Sequence, residues 1–349
     1  MRRTLLIAST YLPPISGGAE QVAWELAKKL ADDFEVHIIT TSGGFLKKDM
    51  SIHYVSRLPL MPLSYSTVLR FKVKKILEAI SPDIIHVHMA LPWGYILHNA
   101  NSTKVVTCHG SDTFPEKRYP ERFFLDSALS HADILTAPSR WLIKYIEEKY
   151  GRPGTTIPNG VDTNTFRPMP GLPRRDDVVL FVGRFLKLKG VLDLVEAARA
   201  LPKYEFWLVG SAEGGKNAIQ IPRLPNVKIV GFMPDKRTMA MHYNRATICA
   251  FPSHRENFPL VGLEAMACGK AVVATKRGFS EYIDNGLEGL LVEPHDIKGL
   301  IGSIRYLMEN KAEREKLERN AKKKASLYDW EMVAREYKAL YEKEMALSQ

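Results

Sequence analysis

Short apolar runs alternate with helical patterns along almost the whole chain, and this alternation constrains the fold more than any other feature. Leu5 to Ser9, Glu35 to Thr40 and Val178 to Val182 have the length and apolar content of buried strands. Segments with apolar residues at helical spacing lie between such runs, as from Val22 to Leu30. Strands that alternate with helices need crossover connections, so we predict parallel sheets with helices on both faces.

The alternation restarts after a Pro- and Gly-rich stretch, Pro168 to Arg175, which we interpret as a linker between two domains. At 349 residues the chain is long enough for two domains that each bury a core. A hydrophobic content of 45% and a charged content of 25% are typical of a soluble globular protein. The apolar part of the N-terminus is too short for a signal peptide, so we expect a cytoplasmic protein.

Cysteine and charge content exclude several classes of protein. The three cysteines, Cys108, Cys249 and Cys268, have no metal-type spacing, which argues against a disulfide framework and a structural zinc site. The net charge of +10 is spread over both halves of the chain, as expected for a protein that handles anionic ligands or surfaces. No nucleic-acid reading motif accompanies this charge, so no nucleic acid is expected as a partner.

The stretch from His254 to Gly269 carries the strongest functional signal. It follows an apolar run, Thr247 to Phe251, and Pro259 and Gly269 suit the first turn and the end of a helix. Unpaired N–H groups at the start of such a helix, around Phe258, Leu260 and Val261, would bind an anion. Glu256 before this helix and Glu264 inside it could bind the hydroxyls of a sugar and a ribose. The stretch therefore predicts a site for a nucleotide diphosphate sugar.

Two other strand ends carry groups suited to phosphate. Gly17 and Gly18 follow the first strand and would let a phosphate approach the backbone. Gly183, Arg184 and Lys189 follow Val178 to Val182, and two long cations five positions apart suit a diphosphate. The chain has no G-x-G-x-x-G fingerprint after its first strand, and the run at 210–215 lacks the Lys-Ser/Thr of a phosphate loop.

The E-x7-E spacing of Glu256 and Glu264 after a strand, with Phe258, Pro259 and Leu260 between them, resembles glycosyltransferase family 4. The resemblance covers essentially the whole chain and implies the GT-B architecture: an α/β protein with two Rossmann-like, doubly wound parallel-sheet domains that face each other across a cleft. It further implies a last helix that crosses back to the first domain. We therefore expect an acceptor-binding domain of residues 1–168 plus 331–349 and a donor-binding domain of residues 169–330.

The resemblance also assigns site residues. It places His109, in the sequence His-Gly-Ser-Asp, against the donor sugar, Arg184 and Lys189 on the diphosphate, and Phe232 and Met233 near the nucleobase. Asn257 departs from the smaller residue that the family usually has there. The expected catalytic residues are His109, Arg184, Lys189 and Glu256, with no metal ligand. The expected donor-binding residues are Gly17, Gly18, Gly183, Arg184, Lys189, Phe232, Met233, Glu256, Asn257, Phe258, Pro259, Leu260, Val261 and Glu264.

The function expected from this resemblance is retaining, metal-independent transfer of a sugar from a nucleotide diphosphate sugar, such as a UDP-sugar or GDP-sugar. The acceptor would be a hydroxyl of a glycan, a lipid-linked molecule or a small molecule, and no cofactor is expected. A nucleotide-sugar epimerase or sugar phosphorylase of the same architecture is an alternative. A non-catalytic nucleotide or nucleic-acid binding protein is an alternative of another class.

Two further features of the first half allow more than one interpretation. Residues 67–80 form a basic amphipathic pattern, which indicates either a surface helix on the sheet or contact with an anionic membrane at its cytoplasmic face. His86 and His88 lie two apart at a strand end and are interpreted as a polar rim of the cleft, because no third metal ligand has suitable spacing.

Overall fold

The computed structural model describes residues 2–13, 17–43, 50–55, 62–98, 101–114, 119–212 and 219–347, with the side chains of residues 62–70 excepted. The chain divides into two compact units, Met1–Asn159 with Trp330–Gln349, and Gly160–Asp329. The unit boundary therefore lies nine residues before the predicted one at 168/169. Much of the glycine-rich run at 210–215 lies outside the described residues.

The first unit is a parallel sheet of seven strands in the order β3-β2-β1-β4-β5-β6-β7. A 3₁₀ helix, Gly94–Leu97, follows the third α-helix. The elements in chain order are β1 (Thr4–Ala8), α1 (Gly18–Leu30), β2 (Glu35–Thr40), β3 (Met50–Tyr54), α2 (Pro62–Ile80), β4 (Ile84–His88), α3 (Ala90–Trp93), β5 (Thr103–Thr107), α4 (Glu121–Ser130), β6 (Ile134–Ala137), α5 (Arg140–Tyr150) and β7 (Thr155–Thr156).

The second unit is a parallel sheet of six strands in the order β10-β9-β8-β11-β12-β13. Short 3₁₀ helices lie at Lys187–Lys189 and Ser326–Tyr328. The elements are β8 (Val178–Val182), α6 (Val191–Ala200), β9 (Glu205–Val209), β10 (Val227–Gly231), α7 (Lys236–Arg245), β11 (Ile248–Phe251), α8 (Leu260–Ala267), β12 (Val272–Thr275), α9 (Lys276–Phe279), β13 (Gly289–Val292), α10 (Ile297–Glu309) and α11 (Lys311–Ala325).

The last helix, α12 (Trp330–Leu347), belongs to the first unit. It buries Trp330, Tyr337 and Tyr341 there, and the Tyr341 hydroxyl lies 2.7 Å from His86 Nδ1 on β4. Two parallel-sheet units with a terminal helix that returns to the first one confirm the predicted fold class.

Local sequence signals explain where several helices begin and end. Asp235 precedes α7 and its carboxylate accepts a hydrogen bond from Thr238 N at 2.7 Å, as expected of an N-cap. Ser139 caps α5 in the same way, and Gly151 ends α5 in the left-handed conformation at φ +64°. Inner strands such as β4, β8 and β11 are buried because helices cover both faces of a parallel sheet.

The stretch from 168 to 175, which we interpreted as a linker, is tied to the second unit. Asn244 Oδ1 accepts a hydrogen bond from Met169 N at 2.8 Å, and Arg174 donates to the Thr247 carbonyl at 2.9 Å. Arg174 also forms an ion pair of 2.6 Å with Glu318. These bonds make the stretch an ordered part of the second unit.

Among the described residues, no helix combines the length and the apolar character that crossing a membrane requires.

Candidate functional site

The loop between β8 and α6 contacts the loop between β11 and α8 through a glycine. Gly190 adopts φ +64°, and a Cβ at this position would lie 1.8 Å from the Pro252 carbonyl oxygen. Only glycine allows this approach. Both loops leave the carboxyl end of their strand, so residues of the two loops meet at one edge of the sheet.

This contact brings together two residues that the sequence predicted for the site. Lys189 Nζ lies 2.5 Å from Glu256 Oε1, and the two side chains are 25% and 13% exposed. An ammonium has three N–H donors, so Lys189 can bind Glu256 and an anionic ligand together. Glu256 thereby fixes the position of a cation at the strand edge.

Arg184 lies one residue after Gly183 on the same loop as Lys189. Its side chain is exposed, and within the described parts of the chain no ion pair holds its guanidinium. A guanidinium in this state is available to bind phosphate in a bidentate manner.

The start of α8 is held by an aromatic cluster. The Tyr282 hydroxyl donates to the Pro259 carbonyl at 2.7 Å, and a Cβ at Gly262 would lie 2.2 Å from the same hydroxyl. The Phe258 ring is buried against Tyr282 and Tyr328, with ring centroids 4.9 and 5.9 Å away. The side chain of Phe258 is therefore part of the core, so that only its backbone could contact a ligand.

The helix itself has the bounds that the sequence predicted. Pro259 is its N-cap, Leu260 and Val261 are partly exposed in its first turn, and Gly269 follows its end at φ +71°. Its first N–H groups and its dipole favour an anion.

Glu264 has the partner that a buried carboxylate needs. The Tyr243 hydroxyl, on α7, donates to Glu264 Oε2 at 2.9 Å. Both residues are buried, and this burial, followed by the charge of Glu264, raises the pKa of Tyr243. Sequence reasoning missed Tyr243, although Met239, Ala240 and Tyr243 have the spacing of a buried helix face.

The loop that holds Glu256 is also packed against a second glycine. A Cβ at Gly278 would lie 2.8 Å from Glu256 Cβ and 2.9 Å from the Asn257 carbonyl oxygen, and Gly278 adopts φ +78°. The β11–α8 loop is thus packed against α9 at residues 256–257 and against Gly190 at Pro252.

Gly231, Phe232 and Met233 lie at the carboxyl end of β10. Gly231 adopts φ +93° and its carbonyl accepts a hydrogen bond from Gly210 N at 2.9 Å. Phe232 is 60% exposed, whereas Met233 packs against the core of the second unit. Phe232 is the one of the two that offers an exposed flat surface at this edge.

In the first unit, Gly17 and Gly18 lie at the start of α1. Gly17 is the N-cap, and its carbonyl accepts a hydrogen bond from Gln21 N at 3.2 Å. A Cβ at Gly18 would meet no atom within 4 Å. Packing therefore does not require glycine at position 18. The absence of a side chain there leaves the backbone open to the approach of a ligand.

His109 follows β5 in a turn built on a buried carboxylate. Asp112 accepts hydrogen bonds from the backbone N–H groups of His109, Gly110 and Ala90 at 3.1, 2.9 and 2.8 Å. Burial lowers the pKa of His109 to about 4. At neutral pH the imidazole is therefore uncharged and acts as a hydrogen-bonding group.

The interpretation of His86 and His88 as a polar rim is wrong, because both residues are buried. His86 Nε2 lies 2.6 Å from the Thr107 hydroxyl, and His88 Nδ1 lies 3.1 Å from His109 Nε2. Their strand, β4, is an inner strand of the sheet, and α12 packs over it. The residues that we expected at an exposed strand end are therefore covered. His88 thus holds the ring of His109.

The three cysteines, Cys108, Cys249 and Cys268, are free and buried.

Comparison with known proteins identifies the family. Residues 162–324 match the family model described as glycosyl transferases group 1, and residues 16–165 match that of glycosyltransferase family 4. An uncharacterized glycosyltransferase of Methanocaldococcus jannaschii is 30% identical over 353 residues, which cover 97% of each chain.

Solved structures agree with this assignment at the level of the fold. Sucrose-phosphate synthase from Thermosynechococcus elongatus superposes with a TM-score of 0.86 at 22% identity, over 99% of this chain and 100% of that one. HepE of Anabaena, solved in complex with UDP-glucose, gives a TM-score of 0.80 at 21% identity, over 97% and 99% of the two chains. The chain therefore belongs to glycosyltransferase family 4 and is an enzyme of the glycosyltransferase class with the GT-B fold.

Proposed function

We propose that the enzyme transfers a sugar, with retention of anomeric configuration, from a nucleoside diphosphate sugar bound to the second unit. The main support for this proposal is the contact of 2.5 Å between Lys189 Nζ and Glu256 Oε1. These residues lie on adjacent loops, next to the exposed Arg184 and the start of α8. Cations and helix amides suit a diphosphate, and a carboxylate suits the hydroxyls of a sugar.

The proposed chemistry is electrostatic. As the glycosidic bond breaks, negative charge develops on the leaving diphosphate, and Arg184, Lys189 and the amides of Leu260 and Val261 stabilise it. These groups supply the positive charge that a divalent ion would otherwise supply, so we propose that transfer needs no metal. A chelator should leave turnover unchanged; loss of activity that magnesium restores would contradict this part of the proposal.

Glu264 would bind the ribose of the donor, and Glu256 would face the transferred sugar. Tyr243 supports this assignment because its hydroxyl orients Glu264. His109, uncharged at neutral pH because its pKa lies at about 4, would donate or accept a neutral hydrogen bond at the sugar.

The identity of the nucleoside is best tested by ligand-dependent stability. HepE, which shares the fold, was solved with UDP-glucose, so uridine diphosphate sugars come first in a panel that also holds guanosine diphosphate sugars. A ligand at 100 times its dissociation constant adds about 2.7 kcal/mol of stability. We expect one nucleoside to raise the melting temperature in wild type and to do so less in Lys189→Ala. A panel without any stabilising ligand would contradict the proposal.

We propose that the acceptor binds the first unit and is a hydroxyl of a glycan, a lipid-linked molecule or a small molecule. Residues 71–80 of α2 bury Val73 while Phe71 remains 62% exposed beside Lys75, whose Nζ lies 4.7 Å from the ring centroid. An exposed aromatic ring among lysines favours an anionic membrane surface, where a lipid-linked acceptor would lie. Co-sedimentation with vesicles that contain anionic lipid should fall in Phe71→Ser. Equal binding of neutral and anionic vesicles would contradict the membrane contact.

Transfer is distinguished from epimerisation and phosphorolysis by its products. We expect release of nucleoside diphosphate only when donor and acceptor are both present, and an NMR spectrum of the product that shows the anomeric configuration of the donor. Conversion of the donor without an acceptor would favour an epimerase, and release that depends on inorganic phosphate would favour a phosphorylase.

A further inference from the structure

Three potential metal ligands from separate segments meet in the second unit. Their ligand atoms, a carboxylate oxygen of Asp193 and ring nitrogens of His254 and His295, all lie within 4.8 Å of one another. His254 Nε2 is 2.7 Å from Asp193 Oδ2, and the rings of His254 and His295 have centroids 3.7 Å apart. Among the residues that the structure describes, this is the one cluster of three or more such groups.

Each ligand is held by an ordered element. Asp193 lies in the first turn of α6, and His254 lies in the β11–α8 loop, where its backbone N–H donates to the Leu188 carbonyl at 2.9 Å. His295 directly precedes Asp296, the N-cap of α10, whose carboxylate accepts a hydrogen bond from Gly299 N at 2.8 Å. The three side chains therefore need only small adjustments to share one ion.

The backbone of His295 is strained. It adopts φ +66°, a left-handed conformation that costs energy for any residue except glycine. The chain nevertheless has an imidazole here, and that imidazole contacts His254. Strain of this kind persists where surrounding contacts over-determine it and is common at functional sites.

We propose that Asp193, His254 and His295 bind a divalent transition-metal ion such as Zn²⁺. Two imidazole nitrogens and one carboxylate oxygen are ligands that Zn²⁺ and its neighbours in the first transition row accept, with the remaining positions filled by water. Mg²⁺ and Ca²⁺ prefer oxygen ligands, so this set does not suit them.

The ion has no role in the proposed transfer chemistry. It lies on the segments that carry the Lys189–Glu256 pair, since Asp193 is four residues after Lys189 and His254 is two residues before Glu256. An ion bound there joins α6 to the β11–α8 and β13–α10 loops and stabilises them against local opening.

The test is metal binding by protein that carries no polyhistidine tag and has been freed of metal with a chelator. We expect one Zn²⁺ per chain in a competition titration against a chromogenic chelator, and a rise in melting temperature with Zn²⁺ but not with equal Mg²⁺. His295→Gly removes one ligand and suits the positive φ. Without metal, this variant should be at least as stable as wild type. Its affinity for Zn²⁺ should fall at least about tenfold, because removing even a residue that only hydrogen-bonds a metal ligand lowers metal affinity by about that factor.

His242→Gln serves as the matched control, since it removes an imidazole of α7 whose Nδ1 lies 2.9 Å from the Thr238 carbonyl oxygen, and none of the proposed ligands lies on that helix. It should bind Zn²⁺ as wild type does. No uptake at micromolar Zn²⁺, equal affinity in His295→Gly and wild type, or equal stabilisation by Mg²⁺ would each overturn the metal site. None of these outcomes depends on glycosyl transfer, so the metal site and the proposed transfer reaction can be contradicted independently of each other.

Discussion

The charged side chains of the candidate site in the second unit have different surroundings, and different roles are proposed for them. Arg184 is exposed, Lys189 is bound to Glu256, and Glu264 is buried with Tyr243. A buried carboxylate without a partner would cost free energy, and the Tyr243 hydroxyl removes much of that cost. The roles proposed for these residues can therefore be tested by single substitutions.

Arg184→Ala and Lys189→Ala should each lower kcat at least about tenfold and leave the fold intact. Charge-assisted contacts are worth about 1.5 to 3 kcal/mol each, and here the loss falls on charge that develops at the leaving group. Steady-state kinetics and circular dichroism measure the two effects. Lys187→Ala, an exposed cation two residues before Lys189, is the matched control and should retain wild-type turnover. Full activity in both test variants would contradict the assignment of Arg184 and Lys189 to the diphosphate.

Glu264→Gln and Glu256→Gln should separate binding from turnover. Glu264→Gln keeps an acceptor for Tyr243 but loses the charge that strengthens hydrogen bonds to hydroxyls, so affinity for the nucleoside diphosphate alone should fall. Its stability without ligand should be equal or higher, since a buried charge is removed. Glu256→Gln should mainly lower turnover. Titration with the nucleoside diphosphate checks both, and the opposite pattern would mean that the two roles are reversed.

At the scale of elements, the site depends on how closely two loops approach. Gly190 and Pro252 belong to loops after β8 and β11, neighbouring strands of the sheet, and their backbones touch where a Cβ cannot fit. Lys189 reaches Glu256 because of that contact. The position of Lys189, the cation proposed to bind the diphosphate, is thus set by a glycine.

Gly190→Ala should destabilise the second unit and weaken donor binding together. The Cβ would lie 1.8 Å from the Pro252 carbonyl oxygen, so the loops must separate, at a cost of about 1 to 3 kcal/mol for overpacking in addition to the positive φ. Urea unfolding and nucleoside diphosphate titration measure the two losses. Gly286→Ala is the control, because Gly286 also has a positive φ, +81°, and a Cβ there meets nothing within 4 Å. Equal losses in the two variants would show that strain alone, and not the loop contact, is responsible.

At the scale of the whole molecule, the terminal helix and buried histidines are linked in the first unit. Tyr341 and Tyr337 of α12 bond to His86 and Thr107, and His88 bonds to His109. Burial lowers the pKa of His86 to about 3 and that of His109 to about 4, and lowers that of His88 well below its ordinary value. These imidazoles are uncharged in the folded protein at neutral pH.

Acid should therefore destabilise the protein below about pH 6.5. The unfolded chain protonates each histidine near its ordinary pKa of 6.5, whereas the folded chain does not until about pH 4 for His109. The unfolded state thus binds more protons between these values, and the free energy of unfolding falls as the pH falls. Each such histidine contributes about 1 kcal/mol per pH unit between pH 6 and 5. Urea unfolding at pH 7, 6 and 5 should show a smaller loss for His88→Gln than for wild type, and identical pH slopes would contradict this account.

Local sequence patterns and tertiary structure determine different features of this protein. The alternation of strands and helices, the start of α8 at Pro259, its end before Gly269 and the Asp235 cap follow from periodicity and capping, which act over a few neighbouring residues. The sequence by itself therefore determined the architecture and named Lys189, Glu256 and Glu264 as candidates. Their roles remain predictions.

The tertiary structure alone decided which of these residues meet. Tyr243 and Glu264 are 21 positions apart, Lys189 and Glu256 are 67 apart, and His86 and Tyr341 are 255 apart. The burial of His86 and His88, the inclusion of residues 168–175 in the second unit and the approach of His295 to His254 likewise depend on the neighbours of each strand in the sheet. The order of the strands in each sheet brings distant segments together, and no local sequence pattern in either segment predicts the contact between them.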